Sequence, residues 1–169
     1  MNFENRYIRT PDDIKEALKY QFFGRTLIRV FYAVMVAFWV SYIVLSAVST
    51  GFSFMEIFVI AFVPVLFAYF FFIYRRTIKI HNARETEMLG GKPLEVVFTA
   101  NDEGICVTSS GGTTVALFYS QIKMVARTKN LIIVVTKSNL MYILRKDSFT
   151  IGDEEGFLRF MLENRVKVK

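Results

Sequence analysis

Apolar residues are concentrated in one stretch of this chain, between residues 30 and 74. Residues 30–49 form a run of twenty positions without a charged side chain, and residues 57–74 form a second run of eighteen. A helix of twenty residues is about 30 Å long, which matches the hydrocarbon core of a bilayer. The intervening residues include Gly51 and Ser53, which are typical of a tight reversal. The pattern predicts a transmembrane helical hairpin over residues 30–74.

Two other structures also produce apolar runs: buried helices of a soluble protein and a cleaved signal peptide. Apolar runs of roughly 10–14 residues are usual for buried core helices, and both runs here are longer. Two such neighbouring runs are hard to bury in the rest of a chain of this size. The apolar part of a signal peptide is short and lies near the start, whereas the first run here begins at residue 30. The transmembrane interpretation is therefore favoured.

Basic residues flank the predicted hairpin, and the sequence between the two runs contains no Lys or Arg. The positive-inside rule therefore predicts that both termini are cytosolic. The basic residues expected nearest to the membrane surface are Arg25, Arg29, Arg75, Arg76 and Lys79. Each would contribute about 1 kcal/mol of attraction to anionic headgroups. We favour a role as topological anchors, with a specific lipid site as the alternative.

Small residues recur at helical spacing in both runs. Ala33, Ala37 and Ser41 are four positions apart, a spacing that permits close approach of a second helix. The second run carries Ala61, Pro64 and Ala68 on roughly one face, and Pro64 removes a helix hydrogen bond. The simplest interpretation is that these faces join the two helices. A homodimer through Ala33, Ala37 and Ser41 is the alternative. A transport path is disfavoured, because the ionisable residue of this stretch other than tyrosine, Glu56, belongs at the outer rim.

Short structured segments are predicted on either side of the hairpin. Residues 3–8 have the character of a strand, and Thr10 followed by Pro11 and two acids predicts the start of a helix. We expect this amphipathic helix, within a cytosolic segment of residues 1–29, to lie along the inner membrane face. Residues 75–93 form a cytosolic linker in which the second helix continues to residue 89 and stops at Gly90-Gly91.

From residue 94 onward the chain changes to short β segments separated by turns. The predicted strands are residues 94–99, 105–109, 113–118, 122–128, 131–136 and 140–145. Asp153, Glu154 and Glu155 then open a final helix. Its predicted apolar face consists of Phe157, Leu158, Met161 and Leu162. Residues 94–169 are therefore predicted to form a cytosolic antiparallel β half-barrel whose open end is capped by the C-terminal helix, which makes the whole chain a membrane α + β protein.

The order of these segments, together with several short motifs, resembles the bacterial YcxB-like membrane proteins. The motifs are Val97-Phe98-Thr99-x4-Gly104-Ile105, Tyr119-x2-Ile122-Lys123-x-Val125, Leu140-Met141-Tyr142-Ile143-Leu144 with Phe149, and Glu155-Gly156-Phe157. The resemblance extends over essentially the whole chain and implies that the soluble part is a pleckstrin-homology-like domain. The six predicted strands are one fewer than that fold has, and residues 3–8 are a candidate for the missing strand.

Few residues suggest chemistry. The single Cys106 excludes a disulfide framework, and with the single His81 it makes a His/Cys metal site very improbable. We expect a buried, inert thiol at Cys106 and a solvated side chain at His81. Gly111-Gly112 lacks the Gly-Lys-Ser/Thr ending of a phosphate loop and predicts a hairpin turn. The acidic pairs mark a turn and a helix start. We therefore expect no catalytic residue, no metal and no cofactor.

A basic edge is the remaining candidate for binding. Lys123, Arg127 and Lys129 follow one another at strand spacing, and we interpret them as a solvated strand face or, alternatively, as a surface that contacts the inner leaflet. The first hairpin carries Asn101, Asp102 and Glu103, which disfavours phosphoinositide binding by that hairpin. The net charge of +6 divides evenly into +2 for residues 1–29, +2 for residues 30–93 and +2 for residues 94–169. No nucleic-acid stripe is predicted.

Together these patterns predict a non-enzymatic protein of the bacterial cytoplasmic membrane. Its cytosolic domain would serve contacts with an unidentified protein partner or with lipid. The alternative is a small membrane immunity protein that protects the cell against a toxin or bacteriocin, because small size and few spans suit both roles.

Overall fold

The structure is a computed structural model that describes residues 1–24, 26–49, 54–88 and 90–169. The chain divides into two compact units. The β unit combines Met1–Ala17 with His81–Lys169, and the helical unit is Leu18–Ile80. The first residues of the chain thus belong to the same compact unit as its C-terminal half.

The chain begins with strand β1, Phe3–Ile8, and helix α1, Pro11–Lys19, as predicted. Thr10 caps this helix. Its hydroxyl accepts a hydrogen bond from the Asp13 N–H at 3.3 Å, and the Asp13 carboxylate accepts one from the Thr10 N–H at 2.8 Å. This reciprocal pair is a capping box, and it satisfies N–H groups that have no partner within the helix.

Two long helices follow, α2 at Thr26–Ser49 and α3 at Phe54–Met88. Helix α3 contains Pro64 and continues well beyond the second apolar run, which confirms the predicted helical continuation. Gly90 and Gly91 follow it with φ values of 57° and 80°. Residues without a side chain adopt this conformation readily, so the glycine pair ends the helix at little cost.

Aromatic side chains, rather than small ones, join α2 to α3. The Trp39 Nε1–H donates a hydrogen bond to the Ile60 carbonyl at 3.1 Å, and the rings of Tyr32 and Phe67 lie 5.6 Å apart. The small residues predicted to form this contact are all exposed: Ala33, Ala37, Ser41, Ala61, Pro64 and Ala68. That prediction is wrong, because the small residues are exposed and the contacts above are made by aromatic rings.

Seven further strands form the rest of the β unit. They are β2 (Glu95–Asn101), β3 (Gly104–Ser109), β4 (Thr114–Leu117), β5 (Ile122–Arg127), β6 (Leu131–Thr136), β7 (Met141–Arg145) and β8 (Phe149–Ile151). The six predicted strands are confirmed with small shifts at their ends, whereas β8 lies where the sequence suggests a loop. The strands form two open antiparallel sheets, β4-β3-β2-β1-β8 and β5-β6-β7, in place of the single half-barrel expected.

Strand β1 is an interior strand of the larger sheet. It pairs with β2 from Phe3↔Ala100 to Ile8↔Glu95, and with β8 on its other side. Phe3, Asn5 and Tyr7 point to the buried face, in the alternation that a half-buried strand requires. Residues 3–8 therefore supply the additional strand that the sequence suggests.

The closing helix α4, Glu154–Glu163, packs on the core between the sheets. Asp153 caps it by accepting a hydrogen bond from the Gly156 N–H at 2.6 Å. Phe157, Leu158 and Met161 are buried as predicted, but Leu162 is 56% exposed, and Phe160 is buried instead. Leu162 follows Phe157 by five positions, about 140° around the helix, which turns it away from the core.

Strand β6 is buried on both faces. Ile132 and Val134 belong to the core shared with α4, while Leu131 and Ile133 lie on the opposite face and are also fully buried. Helix α1 is tied to this side of the sheet, because the Glu16 carboxylate accepts hydrogen bonds from the Asn130 N–H and side-chain amide at 2.8 and 2.9 Å.

The apolar face of α1 is occupied by protein, with Ile14 only 3% and Ala17 only 2% exposed. The prediction that this helix lies on the inner membrane face is therefore wrong, because its apolar side chains are not available to a bilayer.

Partial burial acts to raise the pKa of Glu16, but hydrogen bonds from Asn130 and its neighbours outweigh it, and the pKa is lowered overall.

Candidate functional site

A cleft of about 370 Å³ lies between the two sheets of the β unit. The larger sheet contributes valine side chains to its walls, and the smaller sheet contributes β7. The principal lining residues are Tyr7, Arg9, Val96, Val107, Val115, Met141, Tyr142 and Ile143. A volume of this size is at the lower end of the range for small-molecule sites.

Side chains of β1 bridge the sheets at one end of the cleft. The fully buried Asn5 amide donates to the Arg145 carbonyl at 2.7 Å and accepts from the Arg145 N–H at 3.3 Å. The Tyr7 hydroxyl donates to the Ile143 carbonyl at 2.7 Å. These bonds provide partners for backbone N–H and carbonyl groups on the outer edge of β7, which has no strand neighbour on that side.

The lining of this cleft is mainly apolar. Arg9 adds a positive charge to a lining that is otherwise dominated by apolar side chains, and Ser109 and Thr113 add hydroxyl groups. Among the described residues that line it there is no carboxylate, thiol or imidazole.

The predicted basic edge is exposed, but its three cations are not equivalent. Lys123 lies at an irregularity in the pairing of β5 with β6, and Lys129 follows the strand. The Arg127 guanidinium is 2.8 Å from the Glu154 carboxylate, which is also 3.3 Å from the Lys146 ammonium. Part of the charge of this edge is therefore neutralised by the first turn of α4.

The last residues of the chain run alongside β5. The Val125 N–H donates to the Lys167 carbonyl at 2.8 Å, and the Lys169 N–H donates to the Val125 carbonyl at 2.9 Å. This parallel bridge between Val125 and Val168 adds Lys167 and Lys169 to the basic edge. Sequence analysis missed it, although the alternation Val166-Lys167-Val168-Lys169 is a strand signal that could have revealed it.

Four of the five cations predicted at the membrane surface belong to the described residues, where they occupy separate positions along α2 and α3. Arg29 donates a hydrogen bond to the Gly24 carbonyl at 2.9 Å, and the Arg75 guanidinium lies 4.6 Å from the centre of the Phe71 ring. Arg76 and Lys79 are exposed, and Arg25 lies outside the described residues. A role for these residues as anchors stays a prediction.

Of the other residues singled out, Cys106 is half-buried, not buried as expected. Its Sγ lies 3.9 Å from the Thr108 hydroxyl, because the two residues are two positions apart on the same face of the strand. Gly111-Gly112 is a hairpin turn between β3 and β4, as predicted, and Gly112 has a φ of 81°. The side chain of His81 lies outside the described part of the structure. Within that part, no group of three His, Cys, Asp or Glu residues could hold a metal ion.

Tyr119 fixes the corner between the two sheets. Its hydroxyl donates to the carbonyl of Asn101 at 2.5 Å and approaches that of Gly104 at 3.2 Å, and its ring meets Phe160 edge-on at 5.7 Å. Burial, together with the negative charge of Asp102, raises the pKa of Tyr119 to about 12. The neutral hydroxyl is thus held as a donor at the end of the first hairpin.

This corner, the two strand hairpins around it and most of α4 fall within one segment that has known relatives. Residues 100–161 match the family model of the YcxB-like proteins. They form a YcxB-like domain. The predicted resemblance is confirmed for this segment, which contains the Tyr119 corner, the Leu140–Leu144 motif and Glu155-Gly156-Phe157. Neither the curated proteins nor the solved structures that were compared with the chain gave a match.

The YcxB-like segment does not coincide with the β unit. Its first residue, Ala100, lies near the end of β2, so β1 and most of β2 are outside the match. Both the cleft and the basic edge therefore combine residues of the YcxB-like domain with residues outside it, namely Tyr7, Arg9 and Val96 in the cleft and Lys167 and Lys169 at the edge.

Proposed function

We propose that this chain is a non-enzymatic, two-span protein of the bacterial cytoplasmic membrane that presents a pleckstrin-homology-like domain in the cytosol for contacts with protein or lipid. One observation carries the proposal. Ile28–Val48 and Ile57–Ile80 are long and apolar enough to cross a membrane, and only 6% of each span is buried. Apolar helices in the core of a soluble protein are mostly buried, whereas these present their side chains outward, where lipid would satisfy them.

The β unit supports the interaction role. Its two antiparallel sheets and C-terminal helix suit a pleckstrin-homology-like arrangement, and the open sheets leave a cleft and a basic edge accessible. Two acidic residues near the start of α4 have structural uses. Asp153 caps α4, and Glu154 is paired with Arg127 and Lys146. The accessible cleft and basic edge, together with acidic residues that have structural roles, therefore favour a binding function over an enzymatic one.

Membrane extraction and site-specific labelling test this proposal. In a Cys106→Ala background, Ser53→Cys would lie in the outer loop and Lys137→Cys in the exposed turn between β6 and β7. We expect the protein to resist alkaline extraction from membranes. An impermeant maleimide should label Ser53→Cys in intact spheroplasts and Lys137→Cys only after permeabilisation. Release by alkali would overturn the membrane assignment, and labelling of Lys137→Cys in intact spheroplasts would reverse the orientation.

Protection against a toxin or bacteriocin stays a second prediction. This role requires the same membrane location as the proposed function, but its biological outcome is protection of the cell rather than contact with a partner in the cytosol. Cells challenged with a toxin encoded beside this gene should survive when the chain is expressed, and death of those cells at the same rate with and without it would exclude the role.

A further inference from the structure

Two segments that are distant in the sequence lie side by side at one edge of the β unit, and both are rich in Lys and Arg. Residues 122–129 and 165–169 together contain six Lys or Arg residues and no Asp or Glu. The hydrogen bonds of Val125 and Arg127 with Lys167 and Lys169, at 2.8 to 3.0 Å, place the segments side by side. We call this the basic surface. Its cations are Lys123, Arg127, Lys129, Arg165, Lys167 and Lys169.

The cations of the basic surface are directed to solvent. Val168 packs against the core, so its neighbours Lys167 and Lys169 project away from it, as alternation along an extended segment requires. Lys123, Lys129 and Arg165 are also exposed. Arg127 is paired with Glu154, but within the described part of the chain no carboxylate lies within 4 Å of the other five. Their charges are available to an external anion.

We propose that the basic surface binds the anionic phospholipid headgroups of the membrane that holds the protein. The inference rests on the proposed function, because two spans would keep the domain beside a bilayer at high effective concentration. Clusters of four to eight Lys or Arg residues near an anionic leaflet are attracted to it, and the attraction falls off within a Debye length. The spans would hold the domain next to the phosphate groups of the bilayer, whereas a nucleic acid or an acidic protein must be captured from solution. The bilayer therefore has an advantage as the binding partner.

Lysine acylation of the full chain in nanodiscs tests the proposal. One preparation contains phosphatidylcholine alone, and the other contains an added fraction of phosphatidylglycerol. We expect Lys123, Lys129, Lys167 and Lys169 to react about threefold more slowly in the anionic nanodiscs at low salt, and equally in both at about 1 M salt. Lys137, exposed in the turn between β6 and β7, is the internal control and should react equally throughout.

Charge reversal provides matched variants. Lys167→Glu with Lys169→Glu should remove the protection of Lys123 and Lys129, while Lys137→Glu should leave it intact. Circular dichroism confirms that each variant is folded. Equal labelling in both nanodiscs would overturn the proposal. So would protection by an added oligonucleotide in neutral nanodiscs without protection by phosphatidylglycerol.

The same samples separate this inference from the proposed function. Alkaline extraction is performed on the membranes before reconstitution. Release of the protein at that step would overturn the membrane assignment itself. A protein that stays in the membrane, but shows no protection by phosphatidylglycerol, would overturn only the lipid-binding role of the basic surface.

Discussion

Tyr119 illustrates how much one polar side chain contributes at the corner of this fold. Its hydroxyl closes the first hairpin by donating to the Asn101 carbonyl, while its ring packs on Phe160 of α4. The residue thus joins the turn that precedes β3 to the helix that closes the domain. The family motif led us to this position, but the sequence could not reveal the acceptor of its hydroxyl, which lies eighteen residues away.

Replacing this tyrosine should change both stability and its dependence on pH. Tyr119→Phe loses a hydrogen bond and should lower the free energy of unfolding by about 1 kcal/mol at neutral pH. In the native protein the pKa is raised to about 12, whereas an unfolded tyrosine titrates near pH 10. The unfolded state therefore releases its proton first, so the contribution of Tyr119 is complete below about pH 10 and is lost between about pH 10 and 12.

Denaturant unfolding at a series of pH values measures this effect. The variant should show a flatter decline of stability above about pH 10 than the natural protein. Tyr142→Phe is the matched control, since the Tyr142 hydroxyl forms no hydrogen bond in the described part of the chain. An identical decline in Tyr119→Phe and the natural protein would contradict the assignment.

Strands and helices differ in how well the sequence predicts them. Strand β6 is a continuous apolar run and was predicted with its observed bounds, because burial on both faces leaves a clear signal. Strand β8 has three residues, too few for a recognisable alternation. It forms because its backbone pairs with the free edge of β1. The small residues of α2 were recognised, but their face was misassigned, because helical spacing groups residues without saying which group meets the neighbour.

The connection between β1 and β7 was also beyond the sequence, since Asn5 and Arg145 are 140 residues apart. A polar residue in a strand normally faces solvent, yet the alternation of β1 places Asn5 on its buried face. The amide suits this place because it has both a donor and an acceptor, and the edge of β7 presents one of each. The bridge between β1 and β7 therefore depends on a residue that sequence analysis did not single out.

Removing this amide should weaken the contact between the sheets. Asn5→Ala leaves the Arg145 N–H and carbonyl without these partners, and we expect the free energy of unfolding to fall by about 2 kcal/mol. Thermal or denaturant unfolding in detergent, followed by near-ultraviolet circular dichroism, provides the measurement. Glu4→Ala, at the neighbouring position on the same strand, should stay within about 0.5 kcal/mol of the natural protein. Equal effects of the two substitutions would argue against the bridge.

At the scale of the whole molecule, the β unit is assembled from both ends of the chain. The sequence predicted the elements of each end but placed the division at residue 94, because the change from helical to β character occurs there. The compact unit instead includes Met1–Ala17. Without those residues, β2 loses the partner that pairs with it from Glu95 to Ala100, and β8 loses its attachment.

A fragment made only of residues 94–169 should therefore not fold. It exposes one edge of β2 and leaves Phe157 and Phe160 without the ring of Phe3, whose centre lies 5.8 and 5.3 Å from theirs. A fusion that joins residues 1–17 to residues 81–169 through a flexible linker restores β1 and most of α1. We expect dispersed amide signals in a proton–nitrogen spectrum of the fusion and collapsed signals for the fragment. A well-dispersed spectrum of residues 94–169 alone would contradict the essential role of β1.

The interior position of β1 also determines when the larger sheet can form during synthesis of the chain. Ile8 is 87 residues ahead of Glu95, its partner in β2. At roughly 5 to 20 residues per second, β1 leaves the ribosome about 4 to 17 seconds before β2 can reach it. Both apolar helices are translated within that interval. The first strand therefore stays without its β2 partner while both apolar helices are synthesised, and the sheet is completed only afterwards.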